Sequence, residues 1–362
     1  MATVYIVSNH GKLNKKGETL QFYAQDGTIT IIFPYKTEQL VIMGNIEITS
    51  AALKLLMKYN LDTVFLSKNG KFNGKLVFQE SKNVFLRQRQ FELLKDENFK
   101  LNFAKTIVKG KLKNQLTFMQ RIRRRDRGEE NVVNRSIMLM KKNLEELETT
   151  NNLESVRGYE GSGARYYFSV FRYNIIQDWA VFNGRSMHPP QDNVNAVLSF
   201  LYTMLFYRID GLVEAEGLDP YVGYLHELNY GKRTLSFDLM EEFRTPIVDT
   251  LCCSLFNLGI LDENDFEEVI FSTKSIDYPL QTNELSSDAD ENTAYEEKKG
   301  ILLTNEGVKK VIPHFEKKLD SQIFYEPLSR HVSYRRVIRE QIKQFKRVIN
   351  KEETFYKPLV VK

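Results

Sequence analysis

Cysteine is nearly absent from this 362-residue chain: there are two, and they are neighbours, Cys252 and Cys253, inside the apolar run Thr250-Leu251-Cys252-Cys253-Ser254-Leu255-Phe256. Adjacent cysteines in such a run cannot make a zinc knuckle and are poorly placed to bridge each other, so they read as small buried hydrophobes. Histidine is scarce too, with five in the chain, so each can be weighed singly. Long apolar runs are missing: no window offers the ~18 consecutive apolar residues that a membrane span requires. The opening Met1-Ala2-Thr3-Val4-Tyr5-Ile6-Val7-Ser8 lacks a basic stretch followed by an apolar core and a small-residue cleavage site. A soluble, cytoplasmic protein is expected. Charge of one sign is hardly in excess, a formal +4, and that balance by itself neither requires nor excludes a nucleic-acid partner.

What is present suffices for ordered cores, with 42% hydrophobic and 12% aromatic residues. The length points to two domains, since single cores rarely grow past roughly 250–300 residues. The fold class read from pattern is α+β. Residues 1–80 carry short β-branched and aromatic runs, at Val4–Val7, Thr28–Phe33, Gln39–Ile42 and Thr63–Leu66, separated by Gly27, Gly44, Gly70 and Gly74. One helix interrupts them after the capping pair Thr49-Ser50, with an apolar stripe over Ala51–Lys58. The expectation is a small N-terminal β-sheet with a covering helix. From about residue 84 the period becomes helical and stays so to about 270, which predicts a larger, all-α C-terminal domain over 81–362. A polar, acidic stretch at about 279–299 has too little apolar surface to offset its ordering entropy and reads as a mobile loop. Two more helical patterns follow, around Asn305–Leu319 and Val332–Asn350.

The chemistry concentrates in one region. His10, His314 and His331 have no acidic pattern beside them. His226 stands in a turn-rich segment, Gly217-Leu218-Asp219-Pro220 to His226-Glu227, and is followed by Leu235-Ser236-Phe237-Asp238-Leu239-Met240-Glu241-Glu242 at the start of a helix. Asp238 and Glu241 are three residues apart and share a helix face, so with His226 they can converge on one cation. Carboxylate oxygens with one imidazole suit Mg²⁺ or Mn²⁺ better than a zinc site. The bland reading is a helical first turn favouring acids through its dipole, beside a loop histidine.

These segments resemble the signature of the CRISPR-associated protein one family, the integrases of spacer acquisition. The similarity extends upstream to Pro189-Pro190-Gln191-Asp192-Asn193-Val194-Asn195 and to Tyr159-Glu160-Gly161, likened to the family's Glu-Gly helix opening, and into the N-terminal domain at Val41–Thr49 and Gly70–Gly74. The resemblance implies a divalent Mg²⁺ or Mn²⁺ held by Glu160, His226 and Glu241, with Asp238 coordinating directly or orienting a ligand. It implies an endonuclease and integrase that inserts short DNA fragments into a repeat array. It further implies a homodimer, paired through the N-terminal domain, around a dimer of CRISPR-associated protein two. Ser186-Met187-His188 departs from the arginines that many members carry there, and no role is carried onto His188. The small residues Gly161-Ser162-Gly163-Ala164 beside Glu160 permit either close approach of a DNA backbone or tight helix packing.

Basic clusters stand at Arg121–Arg127, with Arg123, Arg124 and Arg125 at its centre, and at Arg335, Arg336 and Arg339. Either can neutralise phosphates, and either can be a solvated face of alternating charge. Two competing functions remain at this stage: a stand-alone structure-specific DNA nuclease using the same ligands, and a non-catalytic DNA-binding scaffold.

Overall fold

Alternating inward and outward residues build the first layer. The computed structural model describes residues 2–67, 70–77, 83–187, 189–271 and 298–361. Strands β1 (Ala2–Lys16), β2 (Thr19–Ala24), β3 (Ile29–Ile32), β4 (Thr37–Ile48), β5 (Asp62–Leu66) and β6 (Phe72–Leu76) form one sheet in the order β3-β2-β1-β4-β5-β6. β4 pairs in parallel with β1 and β5, and the remaining neighbours are antiparallel. The crossover from β4 to β5 is helix α1 (Ser50–Lys58), where the Thr49 hydroxyl accepts from the Ala52 amide as the N-cap.

The continuous apolar run Leu40-Val41-Ile42-Met43 is explained by burial on both faces. Leu40 and Ile42 meet α1 through Ala52, Leu55 and Leu56, whereas Val41 and Met43 join the larger core of the helical body. A polar clamp ties the two layers together. Lys75 of β6 lies 3.1 Å from Asp62 and 3.4 Å from Asp210, and it also pairs with Glu214.

The helical body consists of α2 (Val84–Leu93), α3 (Glu97–Arg124), α4 (Glu130–Thr149), α5 (Leu153–Phe171), α6 (Asn193–Ala215), α7 (Thr234–Phe243) and α8 (Thr250–Asn257), then α9 (Asn305–Asp320) and α10 (Tyr334–Ile349). By length and composition α6 is apolar enough to cross a membrane, but 89% of its most apolar window is buried inside the fold, as in a core helix. The α+β expectation holds, with one addition to its all-α second part. Two short antiparallel ribbons occur there, β7 (Phe266–Phe271) with β8 (Lys298–Leu303) and β9 (Gln322–Tyr325) with β10 (Arg330–Ser333). β7 was expected to continue the helix. Its run Phe266-Glu267-Glu268-Val269-Ile270-Phe271 instead pairs with Ile301 and its neighbours across the segment 272–297. The acidic loop expected at about 279–299 falls outside the described residues up to 297.

Candidate active site

The site begins with a buried carboxylate. Asp238, on α7 and fully buried, accepts backbone N–H groups from Tyr224 at 2.6 Å, Leu225 at 3.0 Å and His226 at 3.1 Å. Its Oδ1 also lies 2.6 Å from Nδ1 of His226. An ionised carboxylate only accepts, so the imidazole proton sits on Nδ1 and the Nε2 lone pair is left to face the site. That nitrogen is 4.0 Å from Oε1 of Glu241, one helical turn beyond Asp238. The approach of the loop to α7 requires glycine at 223, because a Cβ there would stand 2.8 Å from Asp238 Oδ2 and 2.6 Å from the Thr234 carbonyl carbon.

Glu241 is 2% exposed. Its Oε1 is 3.0 Å from Arg244 Nε and its Oε2 is 2.8 Å from Lys111 Nζ. The same ammonium pairs with Glu160 on α5. Glu241 therefore joins the three predicted residues: Lys111 of α3 lies between it and Glu160 of α5, and its other oxygen approaches His226 of the loop before α7. Glu160 does not open a helix as expected; it lies in the middle of α5. Of the small residues beside it, Gly163 serves packing, since a Cβ would come 2.3 Å from Leu112 of α3, whereas a Cβ at Gly161 would meet nothing within 4 Å.

Two devices set the angle and spacing of α7. Beyond it the chain passes through a π-helical segment, Arg244–Asp249, a form of turn that is frequent at functional sites. Arg244 there stacks over the Tyr202 ring at 4.8 Å, and Arg185 approaches the same ring at 5.4 Å. Asp249 accepts from the hydroxyls of Tyr167 at 2.8 Å and Tyr202 at 2.5 Å, and burial raises its carboxyl above the usual range. The second device is the C-terminal segment. Asn114 of α3 donates to the carbonyls of Glu242 and Leu359, each at 2.9 Å, and accepts the Val361 amide at 2.8 Å. Glu242 accepts from Tyr356, Gln341 and the Leu359 amide, yet burial still pushes its carboxyl up to about 7. The chain end is thereby laced across the two helices that carry Lys111 and Glu241.

The donor set suits a hard divalent cation. Glu241 has Nε2 of His226 beside one oxygen and, across Lys111, Glu160 on the side of the other, whereas the Asp238 oxygens are engaged by three amides and the histidine ring. The contact of Asp238 with the imidazole has the geometry of an orienting partner. Positive charge surrounds the carboxylates: besides Lys111 and Arg244, Lys232 lies 5.9 Å from the Phe237 ring, its ammonium pKa lowered by burial. Lys111, Lys232 and Arg244 were not found from sequence. The available signal was Lys111 itself, a cation in line with the apolar stripe Ala104, Ile107, Val108 and Phe118 of α3.

The two basic clusters separate. Arg123, Arg124 and Arg125 are exposed at the C-terminal end of α3. Arg335 is engaged instead by Glu316 at 2.6 Å and Asp320 at 2.9 Å, and Arg339 by Glu38 of the sheet layer. Arg336 is half-exposed, 3.8 Å from Glu340. Arg335 and Arg339 fasten α10 to α9 and β4, and Arg336 pairs within α10. His188 lies outside the described residues. Cys252 and Cys253 are free and buried, with thiols pushed upward by burial, as the apolar run implied.

Comparison with known proteins identifies the family. Residues 4–272 match the family model described as CRISPR associated protein Cas1. A CRISPR-associated endonuclease Cas1 of Thermus thermophilus is 34% identical over 270 residues, covering 74% of this chain and 78% of the relative. One from Leptospira interrogans is 40% identical over 187 residues, covering 51% and 73%. A CAS1 protein from Thermotoga maritima superposes with a TM-score of 0.76 at 21% identity, covering 96% of this chain and 97% of that one. A casposase bound to integration product superposes at 0.79 and 20% identity, covering 99% and 93%. By the extent of the family match and the identity to its members, the chain belongs to the Cas1 family of CRISPR-associated proteins.

Proposed function

We propose that this protein is the divalent-metal-dependent DNA endonuclease and integrase of CRISPR adaptation, joining a short DNA fragment to a repeat array by attack of a 3′-hydroxyl on a phosphodiester. The observation that carries the reading is Glu241 placed beside an Asp238-oriented His226 and linked through Lys111 to Glu160, together with relatives that are named endonucleases.

Glu160, His226 and Glu241 would hold the Mg²⁺ or Mn²⁺. Bound there, the ion supplies Lewis-acid polarisation of the target phosphate and stabilises charge on the attacking and leaving oxygens. The chain's own contribution is preorganisation. Asp238 fixes the ring before substrate arrives, and Arg244 and Lys232 hold positive charge beside the position of a phosphate. Alignment of the incoming strand accounts for much of the remaining barrier, since positioning of reactants supplies several kcal/mol. Water in place of the 3′-hydroxyl gives cleavage by the same geometry.

Neighbours in fold extend the reading to partners. They include the casposase with its DNA product and a Cas6-RT-Cas1–Cas2 complex. We infer protospacer and repeat DNA as substrates, and a homodimer assembled with a dimer of CRISPR-associated protein two. The edge strand β3 supports self-association, because Ile29 and Ile31 are each about half exposed on it, next to the exposed Phe33 and Tyr35.

The test is strand transfer into a supercoiled plasmid carrying a repeat, with Mn²⁺ or Mg²⁺ against chelator. Metal-dependent joined or nicked product that vanishes in His226→Ala supports the reading. Full activity in the mutant overturns the ligand set, and DNA binding without cutting or joining in either protein favours a scaffold.

A further inference from the structure

Lys111 is a costly residue to keep where it is. It is 3% exposed in the middle of α3, among Ile107, Val108, Leu112 and Phe118, and a buried ammonium is tolerated only with charge partners. Its partners include Glu160 and Glu241, the latter at 2.8 Å. Those two carboxylates come from different helices, α5 and α7, and face one another across the ammonium. Arg244 lies 3.0 Å from the other oxygen of Glu241.

A divalent cation held by both glutamates would sit between their carboxylates, where the ammonium now lies. Two like charges cannot share that gap in a buried setting, where their repulsion is only weakly screened. Resting on the metal-site reading above, we propose that Lys111 is a resident counter-cation that the metal displaces. In the metal-free protein it neutralises the glutamate pair and holds α5 and α7 in register. When metal enters, the flexible four-carbon stem swings the ammonium aside, and the cost of parting it from two carboxylates is subtracted from metal affinity. A phosphodiester in the site gives the displaced ammonium a new anionic partner, so DNA and metal reinforce each other's binding through this side chain.

The experiment measures Mn²⁺ binding to the full chain by the electron paramagnetic resonance signal of free Mn²⁺, alongside thermal unfolding in chelator and in Mn²⁺. It uses wild type, Lys111→Met, Lys111→Gln and His226→Ala, each with and without a short duplex. Removing the competing charge should tighten Mn²⁺ binding by about tenfold or more in both Lys111 variants. Both variants should melt below wild type in chelator and regain most of the difference in Mn²⁺. The duplex should tighten Mn²⁺ binding more in wild type than in either variant. The glutamine variant retains donors to the carboxylates, so it reports on charge if the methionine variant folds poorly. Unchanged or weaker Mn²⁺ binding in folded Lys111 variants, with His226→Ala still abolishing it, overturns displacement alone. Mn²⁺ binding that is indifferent to His226→Ala in every protein overturns the metal site, and displacement with it.

Discussion

Asp238 lies 2.6 Å from Nδ1 of His226 and takes the amides of residues 224–226 on the same two oxygens, so it sets the ring's tautomer and the loop's path at once. A carboxylate so engaged has the geometry of a positioning residue.

That role is measurable. Replacing Asp238 by Asn keeps the volume but turns one acceptor oxygen into a donor, so either the Nδ1 and amide of His226 or the Tyr224 and Leu225 amides lose their acceptor. Loss of such an orienting partner typically costs 10–100-fold in metal affinity or activity. Strand-transfer rates titrated with Mn²⁺ should therefore show Asp238→Asn weakened by about that factor and partly rescued at high Mn²⁺. His226→Ala should stay inactive at every concentration. Equal and unrescuable loss in both would make Asp238 a ligand.

The two glycines after Glu160 should respond in opposite ways to alanine. At Gly163 a methyl group meets Leu112 at 2.3 Å, and overpacking of this kind costs about 1–3 kcal/mol. At Gly161 the methyl group meets nothing, so the helix gains roughly 0.5–1 kcal/mol from the lower backbone entropy of its unfolded state. Urea unfolding of the two variants checks the signs. A Gly161→Ala protein that is more stable yet binds DNA less tightly would add the backbone-approach role to this position.

Much of this arrangement could be read from local pattern. The Thr49 cap, the doubly buried run Leu40–Met43 and the three-residue spacing of Asp238 and Glu241 are all short-range signals, and they appear in the structure as helix end, central strand and shared face. Lys111 was illegible because its partners are 49 and 130 positions away, and only the packing of α3 on α5 and α7 brings them together. The same holds for Arg335. Its sequence neighbours suggest an exposed basic face, while Glu316 and Asp320 arrive from the antecedent helix. β2 went unrecognised because Thr19–Ala24 mixes polar and apolar residues over only six positions.

Lys318 offers a pH test. Burial, with Arg121 as a neighbouring positive charge, lowers its ammonium from 10.5 to about 8. A base depressed on folding binds its proton less well in the native state, so native stability rises with pH between the folded and the ordinary value. From about pH 8 to 10.5 Lys318 should contribute a gain in stability, and below pH 8 its full cost is present. Lys318→Met removes that cost. The variant should melt above wild type at pH 7, and the difference should shrink as pH is raised toward 10. A constant difference across this range would assign the effect to packing.

Arg124 and Arg335 separate binding from stability. Arg124 lies thirteen residues past Lys111 on α3, about 20 Å along the axis at 1.5 Å per residue, and is exposed, within reach of a duplex lying over the site. Each phosphate contact contributes roughly 0.9 to the slope of log affinity against log salt for duplex DNA. Fluorescence anisotropy at several salt concentrations should show the slope reduced by about 1 in Arg124→Ala with the melting temperature unchanged. Arg335→Ala should do the reverse, lowering thermal stability by parting Glu316 and Asp320 from their common partner while leaving the slope as it is. A slope change in Arg335→Ala would mean that DNA competes successfully for a guanidinium already held by two carboxylates.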